Sequence, residues 1–181
     1  MKLEMRALKN IAAAAMTLAV VFGAASLKPV TANAAEASVS ASIEEENSYI
    51  SFQDEAYQNE FLRRVNNERA KAGLKPVQLG DSNHNSAAQE RAEEIATVNS
   101  HVRPNGTKWY TVLSEYGVTD AAAGENAAWG NVSPEEVVNA WMNSEGHRAN
   151  ILDPEACAMG VGYYYNSSST WGHQWIQLFT K

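Results

Sequence analysis

Cys157 is the single cysteine of the 181-residue chain, so no internal disulfide can form and stability must come from the core alone. Positive charge is also scarce. Fourteen Lys and Arg stand against 21 Asp and Glu, for a net charge of −7. A chain this acidic is poorly suited to nonspecific nucleic-acid binding, and it gains nothing by approaching an anionic membrane or wall polymer unless a cation bridges them. There is no Gly-x-Ser-x-Gly elbow, no phosphate-cradling glycine loop and no His-Glu-x-x-His helix, which sets aside the chemistries built on each. No internal repeat is present, and no stretch after the first 25 residues is apolar enough to cross a membrane.

The N-terminus is different in kind. Lys2, Arg6 and Lys9 form a basic start, Ile11 to Ala25 is almost wholly apolar, and Ala32-Asn33-Ala34 offers a small-x-small cleavage site. Residues 1–34 therefore read as a secretory signal peptide, because the apolar run falls short of the roughly 20 residues a spanning helix needs. That piece carries Lys2, Arg6, Lys9 and Lys28 against Glu4, so its removal takes the net charge from −7 to −10. Residues 35–51, rich in Ala, Ser and Glu, have little to bury and are expected to form a disordered acidic linker. A single folded domain is expected over 52–181, with an exported product that is secreted or held at the cell surface.

Within it, Phe61, Leu62, Val65 and Arg69 fall on one face of a helix from Phe52 to Ala72, with Gly73 as the cap. Asn66, on or near that face, is expected to bond backbone in a neighbouring loop. A second helix is predicted from Ser82 to Asn99, capped by Asp81 or Ser82, with Ala87, Ala88, Arg91, Ala92, Ile95 and Ala96 as its inner stripe. Arg103-Pro104-Asn105-Gly106 is a turn, and a short helix from Trp109 to Tyr116 ends at Gly117. Gly124 to Gly130 reads as a strand. Ser133-Pro134-Glu135-Glu136 starts another helix, with Ser133 as N-cap and Glu136 closing a capping box. A further helical turn is expected from His147 to Leu152. Ala156 to Tyr165 and Trp171 to Thr180 form an antiparallel hairpin that the Gly124 strand joins. The class is α+β, with helices packed on a small antiparallel sheet.

Three stretches carry candidate chemistry: Ser100-His101-Val102-Arg103-Pro104-Asn105-Gly106, Gly124-Glu125-Asn126, and Trp141-Met142-Asn143-Ser144-Glu145-Gly146-His147-Arg148-Ala149-Asn150-Ile151-Leu152. Two neutral imidazoles, His101 and His147, can bind a divalent ion such as zinc if partners orient their second nitrogens. Glu125 can orient a bound water, accept its proton, bond to an imidazole, or simply hold loop amides. His84 and His173 read as surface or strand residues, and Cys157 as a small buried hydrophobe.

These motifs, with Asn66-x-x-Arg69, Gly73-Leu74-x-Pro76, Gly160-Val161-Gly162-Tyr163 and Trp175-Ile176-Gln177-Leu178-Phe179, resemble the CAP superfamily (cysteine-rich secretory protein, antigen 5, pathogenesis-related 1; SCP-like), in its bacterial, cysteine-poor branch. The resemblance implies an α-β-α sandwich with a cleft holding two histidines and two acids. His101 and His147 match the histidines and Glu125 the first acid. The second acid commonly lies three positions after a tryptophan, where this chain has Ser144, with Glu145 beside it. The expected function is an extracellular binding module that depends on a divalent metal and engages a wall-derived, lipid or peptide ligand. The alternative is a metal-assisted hydrolase with Glu125 as base.

Overall fold

The structure is a computed structural model and describes residues 55–181. The expected signal peptide, the acidic linker and the first residues of the helix predicted from Phe52 lie outside the described residues.

Helix α1 (Glu55–Lys71) turns Phe61 and Val65 fully inward. It ends where expected: Gly73 takes φ +74°, a left-handed conformation cheap only for glycine, while the Gly73 and Leu74 amides bond back to the carbonyls of Ala70 and Arg69. Asn66 behaves as its position suggested. Its side chain donates to the Val77 carbonyl and accepts from the Val77 amide, both at 2.9 Å, which pins the segment leading into strand β1 (Gln78–Leu79). Asp81 caps helix α2 (Ser82–Ile95), accepting from the amides of Asn83 and His84. That helix stops four residues short of the predicted Asn99.

After the short helix α3 (Thr111–Glu115) come β2 (Ala122–Trp129), α4 (Pro134–Met142), α5 (Glu145–Ile151), β3 (Ala158–Asn166) and β4 (Gly172–Thr180). Ser133 caps α4 by accepting from the Glu136 amide, but Glu136 reaches back to the amide of Val132 rather than of Ser133, so the box is displaced by one residue. The hairpin β3–β4 pairs from Ala158↔Thr180 to Asn166↔Gly172, and β2 lies antiparallel on the other side of β4. The sheet order is β1-β3-β4-β2. Because two-residue β1 runs parallel to β3, the sheet is mixed rather than wholly antiparallel; so short a strand carries no period to read.

The sheet buries both faces. Phe61, Val65, Val137, Val138, Trp141 and Ile151 from α1, α4 and α5 pack on Met159, Val161, Tyr163, Trp175 and Phe179. On the opposite face Ala87, Ala88, Ala92 and Ile95 of α2, with Val112 and Leu113 of α3, meet Ala127, Ile176 and Leu178. This is the α-β-α sandwich. Gly160 and Gly162 explain how α2 comes so near: a Cβ on Gly160 would strike the His84 carbonyl, and one on Gly162 the carbonyl of Ala88. Two expectations fail here. His84 is buried, with Nδ1 2.8 Å from Asp81 Oδ1, because α2 lies directly on the glycines of β3. Cys157 is exposed, since it precedes β3 at the sheet's end, where its backbone is paired and its thiol donates to the Glu155 carbonyl.

Candidate functional site

Glu125 is the centre of the arrangement. It sits in edge strand β2, facing α2, and its side chain has 0% exposure. A carboxylate without water needs charged partners. Arg91 of α2, equally buried, supplies them: Nε lies 2.8 Å from Oε2 and a terminal nitrogen 3.2 Å from Oε1. His101 Nδ1 lies 2.7 Å from the same Oε1. Each oxygen of Glu125 is thus engaged, and Glu125 connects a buried guanidinium to an imidazole whose side chain is 59% exposed.

A wider ionic frame holds the loop that carries His101. Arg91 also bonds Glu94 at 2.6 Å and the Ser100 carbonyl at 3.1 Å, next to His101 in the chain. Arg103, nearly buried, bonds Glu90, Glu94, Glu115 and the Thr111 hydroxyl, and Tyr116 donates to Glu90. The loop closes on itself as a small hairpin, with Val102 bridged to Lys108, the Trp109 amide on the His101 carbonyl, and Gly106 at φ +83°. Charge partners keep the Arg103 guanidinium far above its ordinary range despite burial.

His147 arrives from the other side on α5. Asn126 of β2, fully buried, donates to the His147 carbonyl and to Gln177; Asn150 donates to Asn126 Oδ1 at 2.8 Å and to the Glu125 carbonyl at 3.1 Å. Gly124 is what allows this, because a Cβ there would lie 2.7 Å from the Asn150 amide carbon. Trp141 donates to the Ala127 carbonyl, and its ring stands 6.5 Å from that of His147. Gly124-Glu125-Asn126 and His147-x-x-Asn150 are therefore two halves of one joint along the edge of β2.

The two imidazoles differ electrically. The hydrogen bond to Glu125 raises the pKa of His101 above the usual 6.5, against the opposing pull of burial. Burial lowers that of His147, and the charge of His101 lowers it further. Glu145 has no hydrogen bond or ion pair to either imidazole among the described residues. It stands exposed in the first turn of α5, on a hollow of about 490 Å³ lined also by Met142, Arg148 and Leu152. Among the described residues, no three or more His, Cys, Asp or Glu side chains are disposed to hold a metal ion. His173 is bonded to the Tyr163 hydroxyl at 2.7 Å.

Sequence reading missed Arg91 and Arg103 as parts of the site. The signal was present: a guanidinium in an alanine stripe and a carboxylate in an apolar strand each require a buried partner, and each is the other's.

The family model for CAP, the cysteine-rich secretory protein family, matches residues 62–179. The Bacillus subtilis (strain 168) protein YkwD is 41% identical over 123 residues, covering 67% of this chain and 47% of YkwD. The chain thus spans about half the length of that relative. Among solved structures, an extracellular protein containing an SCP domain from Bacillus anthracis str. Ames superposes with a TM-score of 0.59 at 25% identity, over 68% of this chain and 39% of that one. An outer surface protein of Borrelia burgdorferi gives a TM-score of 0.61 at 20% identity, over 70% and 93%, a likeness of fold.

Proposed function

The chain belongs to the CAP family, and we propose that it works outside the cell as a binding module in which His101 and His147 hold a divalent ion such as zinc, the ion in turn engaging an extracellular ligand. Relatives described as extracellular or as outer surface proteins support the location, as does the leader-like composition of residues 1–34. Among the described residues no helix is long and apolar enough to cross a membrane.

The observation that carries the reading is the 2.7 Å contact between His101 Nδ1 and buried Glu125. A carboxylate on one ring nitrogen fixes the tautomer and leaves the Nε2 lone pair for a ligand, as second-shell carboxylates do at zinc. His147, held neutral by burial, offers a second lone pair at ordinary pH. The donor chemistry fits a borderline divalent ion, and its count of two leaves the remaining positions to water or to the bound ligand. When bound, the ion would supply a Lewis acid that attracts an oxygen of that ligand. Against this acidic protein it would also offset local negative charge.

Glu125 is assigned a positioning role in this reading. Its full burial and bidentate tie to Arg91 favour it over the base required by a hydrolase, since it has no surface open to water. Calorimetric titration of zinc into the protein and into a His101→Ala/His147→Ala double variant tests the reading. The variant should lose the binding heat. Equal heats for both proteins would remove the metal from the function.

A further inference from the structure

One end of the sheet has a composition unlike the rest of the molecule. Residues 126–134 and 156–180 contain no Asp, Glu, Lys or Arg, in a chain that is 19% charged. The tip of the β3–β4 hairpin and the loop between β2 and α4 lie together there. The Gly130 amide donates to the His173 carbonyl and the Trp175 indole to the Asn131 carbonyl. Gly130, at φ +82°, sits beneath Trp171, whose ring would be 3.8 Å from a Cβ at that position. Despite this support Trp171 is 55% exposed, and Val132 in the adjoining loop 59%. Tyr165 stacks on Gly172 and lies 4.9 Å from the ring of His173.

Neutral polar residues flank these apolar side chains in the chain: Ser169 and Thr170 precede Trp171, Asn131 precedes Val132, and Tyr165 lies against Gly172. Among the described residues the Asn131 amide, the Thr170 hydroxyl and the Tyr165 hydroxyl have no hydrogen-bond partner within the protein, whereas Ser169 is engaged by Gly172 and Gln174. The Glu136 carboxylate accepts from the Val132 amide at 2.9 Å.

We propose that this hairpin tip is a binding platform for an uncharged saccharide. An exposed indole held from behind offers a flat apolar face to the C–H side of a pyranose ring, and the amide and hydroxyl groups of the flanking residues can pair with the ring's hydroxyls. With no Lys or Arg in either segment and Glu136 engaged by the Val132 amide, the surface suits a neutral glycan, and the acidic body of the protein repels an anionic one. Two large exposed apolar side chains are too few for a stable protein interface, which buries roughly 1,200–2,000 Å² in total. The absence of Lys and Arg disfavours an anionic lipid surface. The platform is a separate site and does not depend on the histidine pair.

The test is tryptophan fluorescence and calorimetry with soluble N-acetylglucosamine oligomers and cello-oligomers. Polygalacturonate and phosphatidylglycerol vesicles are run beside them. Saturable binding of at least one uncharged oligomer is expected, weakened about tenfold or more in Trp171→Ala and in Val132→Asp and unchanged in His101→Ala. If Trp171→Ala shows an altered melting curve, Val132→Asp alone decides. No saturable binding of either uncharged oligomer, equal affinity in the variants, or preference for polygalacturonate or the vesicles would overturn the proposal. Zinc titration is scored separately, so the loss of one site leaves the other standing.

Discussion

Replacing Glu125 with glutamine keeps the shape of the side chain and removes the charge shared by Arg91 and His101. The structure sets the size of the effect. Both members of the Arg91–Glu125 pair have 0% side-chain exposure, so no water can take the place of the lost charge. Removing one partner of such a pair costs about 3–5 kcal/mol, because the other is left buried and under-compensated. Arg91 keeps Glu94 at 2.6 Å and the Ser100 carbonyl, which places the expected loss near the low end, about 3 kcal/mol. For a domain of this size that is a fall in Tm of roughly 10 °C. Urea unfolding at pH 7, followed by circular dichroism, measures it. NMR titration of the same variant should show the pKa of His101 falling back toward its ordinary value, because the hydrogen bond that raises it has lost its charge. Zinc affinity should drop by about 10–100-fold. A stability loss under about 1 kcal/mol with an unmoved His101 would refute the claim that Glu125 is the buried link between arginine and imidazole.

Four further outcomes are expected. In His101→Ala, the NMR midpoint of His147 should rise, since a like charge has been removed; an unchanged midpoint would separate the two rings. The raised pKa of His101 gives stability that is full below pH 6.5 and lost as pH rises through the folded value, whereas His147 gives stability that is full above pH 6.5 and lost as pH falls through its lowered value. Urea curves from pH 5 to 8 on the two single alanine variants should therefore deviate from the parent in opposite directions. Gly162→Ala should cost at least about 1–3 kcal/mol by pressing on the Ala88 carbonyl. Gly146→Ala, where a Cβ meets nothing and the residue is helical, should be neutral or stabilising by up to about 1 kcal/mol; equal effects would contradict the packing of α2 on β3. Cys157 should react fully with an aromatic disulfide reagent in the folded protein, and a thiol that reacts only in denaturant would place it inside.

The parts of the fold that were readable from the chain are those where one local rule acts alone. Ser133-Pro134 starts a helix, Gly73 ends one, and Asn66 has an amide that backbone must satisfy; each does as its chemistry requires. What was not readable depends on distant neighbours. Gln78–Leu79 becomes a strand only because β3 lies beside it, His84 is covered only because Gly160 admits its helix, and Cys157 is uncovered only because the sheet ends there. At the site, His101, Glu125 and His147 were visible as residue types beside turn formers. A bond from Glu125 to an imidazole was among the readings left open; its tie to Arg91, 34 residues earlier, was not, because the spacing carries no sign of it.

The arginines have a consequence beyond the surroundings of Glu125. Arg69 donates to the carbonyls of Lys75, Ile151, Asp153 and Ala156, tying the ends of three segments to one helix much as a cross-link would. Arg91 and Arg103 do the same for the His101 loop. These fastenings need no oxidant to form and no reductant can open them, so the domain can mature equally well on either side of a redox boundary.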